Sequence, residues 1–252
     1  TLHGPSLRFP RYNKSVQVFL IAFIDDASRV ISHGQFFDAD NTENLIECLQ
    51  NALFKRGIPK AIYADNGSNY SAKEFHQICT RLGTVLIHTP VRDGASKGKI
   101  ERFFRTVRDQ YLNQNLDHIS CLQELNEHFT HWVENTYHCR DHSTLGMRPL
   151  DRFGLDLNRI RHFHQCQFNH ELFYLEETRK VRIDNTFQFQ NIRYEAPRDL
   201  RGKTITLRYS RFSTSTIPEP PIAYFDGERL GATILLDPVN NDRKPNLGSD
   251  NF

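Results

Sequence analysis

A chain of 252 residues with 38% hydrophobic content can bury a core of its own, and its length suits one large domain or a domain plus a small module. The formal charge of +2 is too small to mark the whole chain as a polyanion binder, and no apolar run approaches the ~18 residues that cross a bilayer. Cys48, Cys79, Cys121, Cys139 and Cys166 include no C-x-x-C pair, so they indicate neither a disulfide framework nor a thiolate zinc site and fit a reducing, intracellular setting.

The chain begins at Thr1, in what reads as the end of a strand and without a signal-peptide layout, as a fragment or processed product would. Val16 to Ile24 is a near-continuous apolar run closed by Asp25-Asp26-Ala27-Ser28, the pattern of a central strand buried on both faces, and Val30 to Phe37 reads as its hairpin partner. Between Asn41 and Arg56, Leu45, Ile46, Leu49, Leu53 and Phe54 recur at helical spacing, with Gly57 and Pro59 as the stop. Ala61 to Ala64 is a short buried strand. Ser71-Ala72-Lys73-Glu74 is a capping box opening a helix with Phe75, Ile78 and Leu82 on its face, ended by Gly83. Val85 to Ile87 predicts another strand, Arg92 to Gly98 a loop, and Lys99 to Leu112 a helix. Ser120-Cys121-Leu122-Gln123 is a second capping box, before a helix whose face is Leu122, Leu125, Phe129, Trp132, Val133 and Tyr137.

This order predicts an α/β core with a mixed sheet flanked by helices, an architecture that places sites at strand ends. After Pro149, residues 172 to 236 alternate apolar and polar positions in short runs broken by Asn, Pro and Gly, which predicts a small all-β barrel. Residues 179 to 211 carry nine Lys/Arg against three acids, either a phosphate-binding face or a solvated sheet face. The expected organisation is a core over 1–155, a linker over 156–169, a basic barrel over 170–236 and a disordered tail over 237–252.

Two acids stand where chemistry could use them. Asp65 ends a buried strand and precedes Asn66-Gly67, a tight turn. Glu101 lies near the start of a helix with Lys97, Arg105 and Arg108 at neighbouring helical positions. Hard cations such as Mg²⁺ take one or two carboxylates plus water and phosphate oxygens. In-line displacement at a phosphodiester uses two ions about 4 Å apart, normally bridged by a third carboxylate.

Ala64-Asp65-Asn66-Gly67-Ser68-Asn69-Tyr70, followed at a spacing of thirty-five residues between the acids by Gly98-Lys99-Ile100-Glu101-Arg102-Phe103-Phe104, resembles the DDE-type transposase and retroviral integrase superfamily. Phe23-Ile24-Asp25-Asp26-Ala27-Ser28-Arg29 and Asp141-His142-Ser143-Thr144-Leu145-Gly146-Met147-Arg148-Pro149-Leu150 are similar to transposase core segments, and the likeness covers about residues 1 to 155. Residues 170 to 236, with Tyr194-Glu195-Ala196-Pro197 and Gly202-Lys203, bear a more distant resemblance to the barrel of Mu-type transposases, which is taken to bind DNA.

The resemblance implies a ribonuclease H-like fold, two Mg²⁺ or Mn²⁺ ions, DNA strand cleavage followed by strand transfer, transposon-end and target DNA as partners, homo-oligomers on DNA, and a cytoplasmic, DNA-associated place in a bacterium. Asp65 and Glu101 inherit the second and third metal-binding acids. Thr1-Leu2-His3-Gly4-Pro5 looks like the tail of the family's D-x-x-x-G-P segment, which puts the first acid immediately before Thr1. Asp25 or Asp26 would be the substitute, although an antiparallel first pair puts that hairpin end about six residues, ~20 Å, away. The alternatives are a non-catalytic DNA-binding remnant and a metal-dependent nuclease.

The bases expected on DNA are Arg92, Lys97, Lys99, Arg102, Arg105 and Arg108 around Glu101, and Arg179, Lys180, Arg182, Arg193, Arg198, Arg201, Lys203 and Arg208 in the barrel, holding phosphates rather than reading bases. His162, His164, Cys166 and His170 read as incidental residues of the linker, and His88, His138 and His142 as packed or solvated histidines.

Overall fold

The computed structural model describes residues 1–8, 15–64, 67, 69, 72–88, 94–114, 116, 119–164, 170–210 and 219–236, with the backbone alone at 5, 7, 8 and 94–97. The expected tail over 237–252 lies outside the described residues. Contacts divide the chain into two compact units, Thr1–Asn169 and His170–Phe252.

The first unit opens with three antiparallel strands, β1 (Leu2–Arg8), β2 (Ser15–Ile24) and β3 (Ile31–Phe37), with β2 central. The apolar run explains that place, because Val18, Leu20 and Ile21 are all fully buried. Helix α1 (Thr42–Arg56) starts where Asn41 Oδ1 accepts the Asn44 N–H at 2.8 Å, and stops at Gly57, whose φ is +88°. Strand β4 (Ala61–Ala64), helix α2 (Lys73–Leu82) and strand β5 (Val85–His88) follow, with β4 and β5 paired in parallel and Gly83 closing α2 in the left-handed conformation at φ +64°.

Among the described residues no ladder joins the antiparallel trio to the parallel pair, so the single mixed sheet predicted from the element order is resolved as two sheets. The outer strand of the trio is irregular in a way that suits an edge: Pro5 has no N–H to donate, and the register against β2 shifts between His3 and Ser6.

Helix α3 (Gly94–Thr106) begins earlier than predicted, so residues 94–98 of the expected loop are helical. The roughly 1 kcal/mol that a mid-helix glycine costs relative to alanine does not stop it at Gly98. It passes into a π-helical turn, Val107–Tyr111, where the Leu112 N–H reaches the Val107 carbonyl at 2.9 Å. Helix α4 (Leu122–Trp132) does the same through Val133–Tyr137, with His138 N–H on Val133 O at 2.9 Å. Of the two predicted capping boxes, the one before α4 does not form as drawn. The residue before α2 is Ala72, with no side-chain cap, and Ser71 lies outside the described residues. Before α4 it is Glu124, not Gln123, that reaches back to the Ser120 N–H at 2.7 Å, because the helix starts one residue later than the box implied. Helix α5 (Pro149–Gly154) follows.

The core of this unit joins Val18, Leu20 and Phe36 of the sheet to Phe103, Tyr111, Phe129 and Trp132 of the helices, with Phe129 edge-on to both Phe36 and Tyr111 at 5.0 Å. Part of the stretch expected as a linker packs here too. Phe163 packs at a tilt against Phe54 with ring centres 5.0 Å apart, the Ile58 N–H donates to Arg161 O at 2.8 Å, and a Cβ at Gly57 would lie 2.4 Å from Ile160 Cγ2. Only glycine permits that approach.

Among its described residues the second unit has seven strands, β6 (Leu175–Lys180), β7 (Thr186–Phe189), β8 (Ile192–Glu195), β9 (Thr204–Tyr209), β10 (Ile222–Phe225), β11 (Glu228–Ala232) and β12 (Ile234–Leu235). They form two antiparallel sheets, ordered β11-β10-β9-β6 and β12-β8-β7, around Val181, Phe187, Phe189, Tyr194, Ile205 and Leu207. Gln190 and Asn191, both at positive φ, make the tight turn between β7 and β8. Buried Glu171 is held by Arg229 at 2.9 and 3.0 Å and by the Tyr224 hydroxyl at 3.0 Å. Among the described residues no helix is long and apolar enough to cross a membrane.

Candidate active site

Helix α3 has two differently used faces. At 3.6 residues per turn, Gly98, Arg102 and Thr106 fall on one side, and Glu101, Arg105 and Arg108 on another, with buried Phe103 and Phe104 anchoring the helix to the core. Glu101 is exposed, and among the described residues it makes no ion pair or hydrogen bond. Asp65 lies outside the described residues; the strand before it, β4, ends at Ala64, opposite His88 of β5. Among the described residues no group of three His, Cys, Asp or Glu side chains could hold a metal ion.

The two candidate substitutes for a first acid are committed elsewhere. Asp25 accepts the Ser28 N–H at 2.8 Å and the Ser28 hydroxyl at 2.6 Å, closing the β2–β3 turn. Asp26 is ion-paired to Lys99, whose ammonium also donates to the Asp26 carbonyl at 3.3 Å. The turn lies within one lysine side chain of α3, because that helix extends N-terminally past Lys99 and passes beside it.

A second carboxylate in the unit shows what a paired acid looks like. Glu134 sits among Lys55, Arg56 at 3.0 Å and His138 at 3.1 Å. Burial alone would raise its pKa, but the hydrogen bonds from His138 and Lys55 outweigh that and bring it down to about 2. His138 is fully buried, and its Nε2 accepts the Ile31 N–H at 2.9 Å, so it is a packing residue that ties β3 to the π turn.

The predicted basic residues divide in the same way. Arg92 is outside the described residues and the Lys97 side chain is not described. Lys99 is taken by Asp26, Arg102 donates to Thr144 Oγ1 at 3.4 Å, and Arg105 and Arg108 are exposed. In the second unit Arg179 pairs with Glu177 and bonds the Gln188 carbonyl, while Arg208 pairs with Glu176 at 2.7 Å and lies 4.1 Å from the Tyr224 ring centre. Both hold sheet structure. Arg198 and Arg201 have weaker, exposed partners in Glu228 and Asp199. Lys180, Arg182 and Lys203 are exposed and unpaired among the described residues, and they converge where Val181 exchanges backbone bonds with Gly202 and Lys203. Arg193 is exposed and lies within electrostatic reach of Asp184. His162 and His164 have ring centres 6.4 Å apart, and Cys166 lies outside the described residues.

Residues 46–116 match the model of the TnsB C-terminal domain family, a span that contains both Asp65 and Glu101. The transposase for transposon Tn552 of Staphylococcus aureus is 29% identical over 201 residues, covering 70% of this chain and 40% of the relative. These matches support a relationship of the chain to the DDE transposase and integrase superfamily. The transposase InsD for insertion element IS2D of Escherichia coli K12 is 31% identical over 116 residues, 43% of this chain and 37% of the relative. The chain thus spans about two fifths of these relatives' length. Among solved structures, a simian T-cell lymphotropic virus intasome in complex with the PP2A regulatory subunit B56 gamma matches over 92% of this chain and 73% of its own, with 14% identity and a TM-score of 0.45. The HTLV-2 integrase catalytic core domain in complex with magnesium matches over 59% and 90%, with 16% identity and a TM-score of 0.40. Scores this low lend no weight to a shared arrangement of strands.

Arg29, Arg140 and His142, which line a cleft on the far side of α3 from Glu101, were not predicted as site residues. Their spread over more than one hundred residues leaves no local spacing to read, and the two π turns that help shape the cleft have no periodic signature.

Proposed function

We propose that this chain is the catalytic core and DNA-contacting tail of a DNA transposase, with a ribonuclease H-like first unit and a barrel-like second one. It cuts a DNA strand and joins a 3′ hydroxyl to a target phosphodiester by in-line attack. The observation that carries this reading is the family match over residues 46–116, which spans Asp65 and Glu101 at their spacing of thirty-five residues.

Glu101 fits a hard cation: it is an oxygen donor, exposed, and free of ion pairs despite basic neighbours. On this reading Asp65 and Glu101 hold Mg²⁺ or Mn²⁺, two ions in all, which supply Lewis acidity at the reacting phosphorus. Arg105 and Arg108, on the same side of α3, hold backbone phosphates. Lys180, Arg182 and Lys203 form the phosphate-contacting edge of the second unit. The partners are transposon-end and target DNA, with several copies of the chain acting together on the paired ends.

The test uses the protein expressed from its complete reading frame with Mn²⁺, supercoiled plasmid and a labelled DNA end. Nicking and joining that both vanish in Asp65→Asn support the reading. Nicking without joining would make the protein a nuclease, and full activity in Asp65→Asn would overturn the assignment.

A further inference from the structure

On the side of α3 away from Glu101, a cleft of about 540 Å³ opens between that helix, the β2–β3 turn and the segment after α4. Its lining includes Arg29, Lys99, Arg102 and Arg140, against Asp141 as the carboxylate among its described lining residues. Asp26 neutralises only Lys99, and Arg140 and Arg102 spend one nitrogen each on neutral oxygens, Gln110 at 3.0 Å and Thr144 at 3.4 Å.

Arg29 is the unusual member. The Asp25–Ser28 turn holds it at φ +65°, a left-handed conformation uncommon for a residue with a side chain, and its N–H donates to Asp25 O at 2.9 Å. The Tyr137 hydroxyl donates to its carbonyl at 3.3 Å. Its Nη1 is buried and has no hydrogen-bond partner. A buried guanidinium nitrogen without an acceptor is costly to maintain in a folded protein, a cost that a turn of the Arg29 side chain toward the cleft and a ligand oxygen would relieve.

His142 completes the lining as a neutral donor. Its Nδ1 accepts the Thr144 N–H at 3.3 Å, which leaves the proton on Nε2. Burial first, then the charges of Arg29 and Arg102, lower its pKa. The π turns contribute Gln110 and Tyr137 to the same walls, and such turns recur at functional sites.

We infer that this cleft is an oxyanion site for a DNA backbone phosphate, held by Arg29, Arg102 and Arg140 with His142 as an additional donor, on a different side of α3 from Glu101. It rests on the reading of the chain as a DNA-binding transposase. It adds to that reading a second track for DNA, behind α3 rather than across Glu101. A single guanidinium is matched to two phosphate oxygens, and three around one cleft exceed what the one carboxylate among its described lining residues can neutralise.

The experiment uses the full chain with histidine side chains isotopically labelled, titrated with sulfate, a tetrahedral dianion whose charge is constant near neutral pH. Sulfate should move the His142 imidazole signals and raise its pKa, so that binding strengthens as the pH falls toward 6, because anion binding favours the protonated ring. A short duplex DNA should displace sulfate from the same signals. Arg140→Gln, at an exposed position, should weaken sulfate binding about tenfold and lower the slope of log affinity for DNA against log salt by about 1. Arg29→Gln should do at least as much, with folding checked by circular dichroism. Silence of His142 toward sulfate overturns the proposal. So does sulfate binding that DNA fails to displace, which would mark a free-anion site, or an Arg140→Gln variant that binds DNA with unchanged affinity and salt slope. These outcomes are separable from the active-centre test: loss of DNA joining in Asp65→Asn with a silent His142 would sink this inference alone.

Discussion

Glu134 and Glu101 stand on two helical segments of the same unit with opposite surroundings. Glu134 is gripped by Lys55, Arg56 and His138 until its pKa falls to about 2, whereas Glu101 is exposed and unpaired although Arg105 and Arg108 share its helix face. A carboxylate that closes its own ion pairs stabilises a fold. One that stays open beside bases keeps its oxygens available to a cation that must also face a polyanion. The bases repeat the contrast, with Arg179 and Arg208 locked into the second unit's sheet and Lys180, Arg182 and Lys203 left open.

The sharpest way to break the comparison is to remove each acid in turn. Glu101→Gln should lower strand joining on the order of a thousandfold or more while leaving the melting midpoint within about 1 °C, since an exposed unpaired side chain contributes little to stability. A large drop in melting temperature would move Glu101 into the structural class. Glu134→Gln should do the reverse, costing about 2 to 3 kcal/mol in chemical denaturation because Lys55, Arg56 and His138 lose their common partner.

The sign of the pH effect follows from the depressed pKa of Glu134. Its contribution is fully present above the ordinary carboxylate value and is lost as the pH falls from about 4.5 toward 2, so the wild type should destabilise over that window more steeply than Glu134→Gln. Equal slopes would mean that the ion cluster does not persist in solution. Gly57→Ala probes the anchored region again, since its Cβ would meet Ile160 Cγ2 and sit 2.7 Å from Arg161 O at a positive φ; a loss of about 3 kcal/mol is expected. The smallest effect belongs to the open bases: Lys203→Ala should lower the salt slope of DNA binding by about 1 with no change in stability, whereas Arg208→Ala should destabilise the second unit.

Much of the fold could be read from local pattern. The apolar run at Val16–Ile24 does form the central strand, the Asn41 cap and Gly57 stop bound α1 as predicted, and β4 covers Ala61–Ala64. What escaped was set by tertiary contact. Gly98 argued for a loop, yet the burial of Phe103 and Phe104 carries the helix through it. Counting nine bases over 179–211 could not reveal that Arg208 is spoken for by Glu176 across a strand pair, nor that Glu134 meets Lys55 and Arg56 from about eighty residues away. At the candidate site, Glu101 could be singled out from the sequence because its acid stands at a family spacing. Arg29 could not, because its role depends on a left-handed turn and a cleft assembled from three separated segments.

The most direct test of the central claim is Mn²⁺ binding followed by electron paramagnetic resonance, comparing the wild type with Asp65→Asn, Glu101→Gln and Glu134→Gln. The open-carboxylate account predicts that the first two variants lose at least about tenfold in Mn²⁺ affinity while Glu134→Gln binds like the wild type. Undiminished affinity in both Asp65→Asn and Glu101→Gln would contradict it.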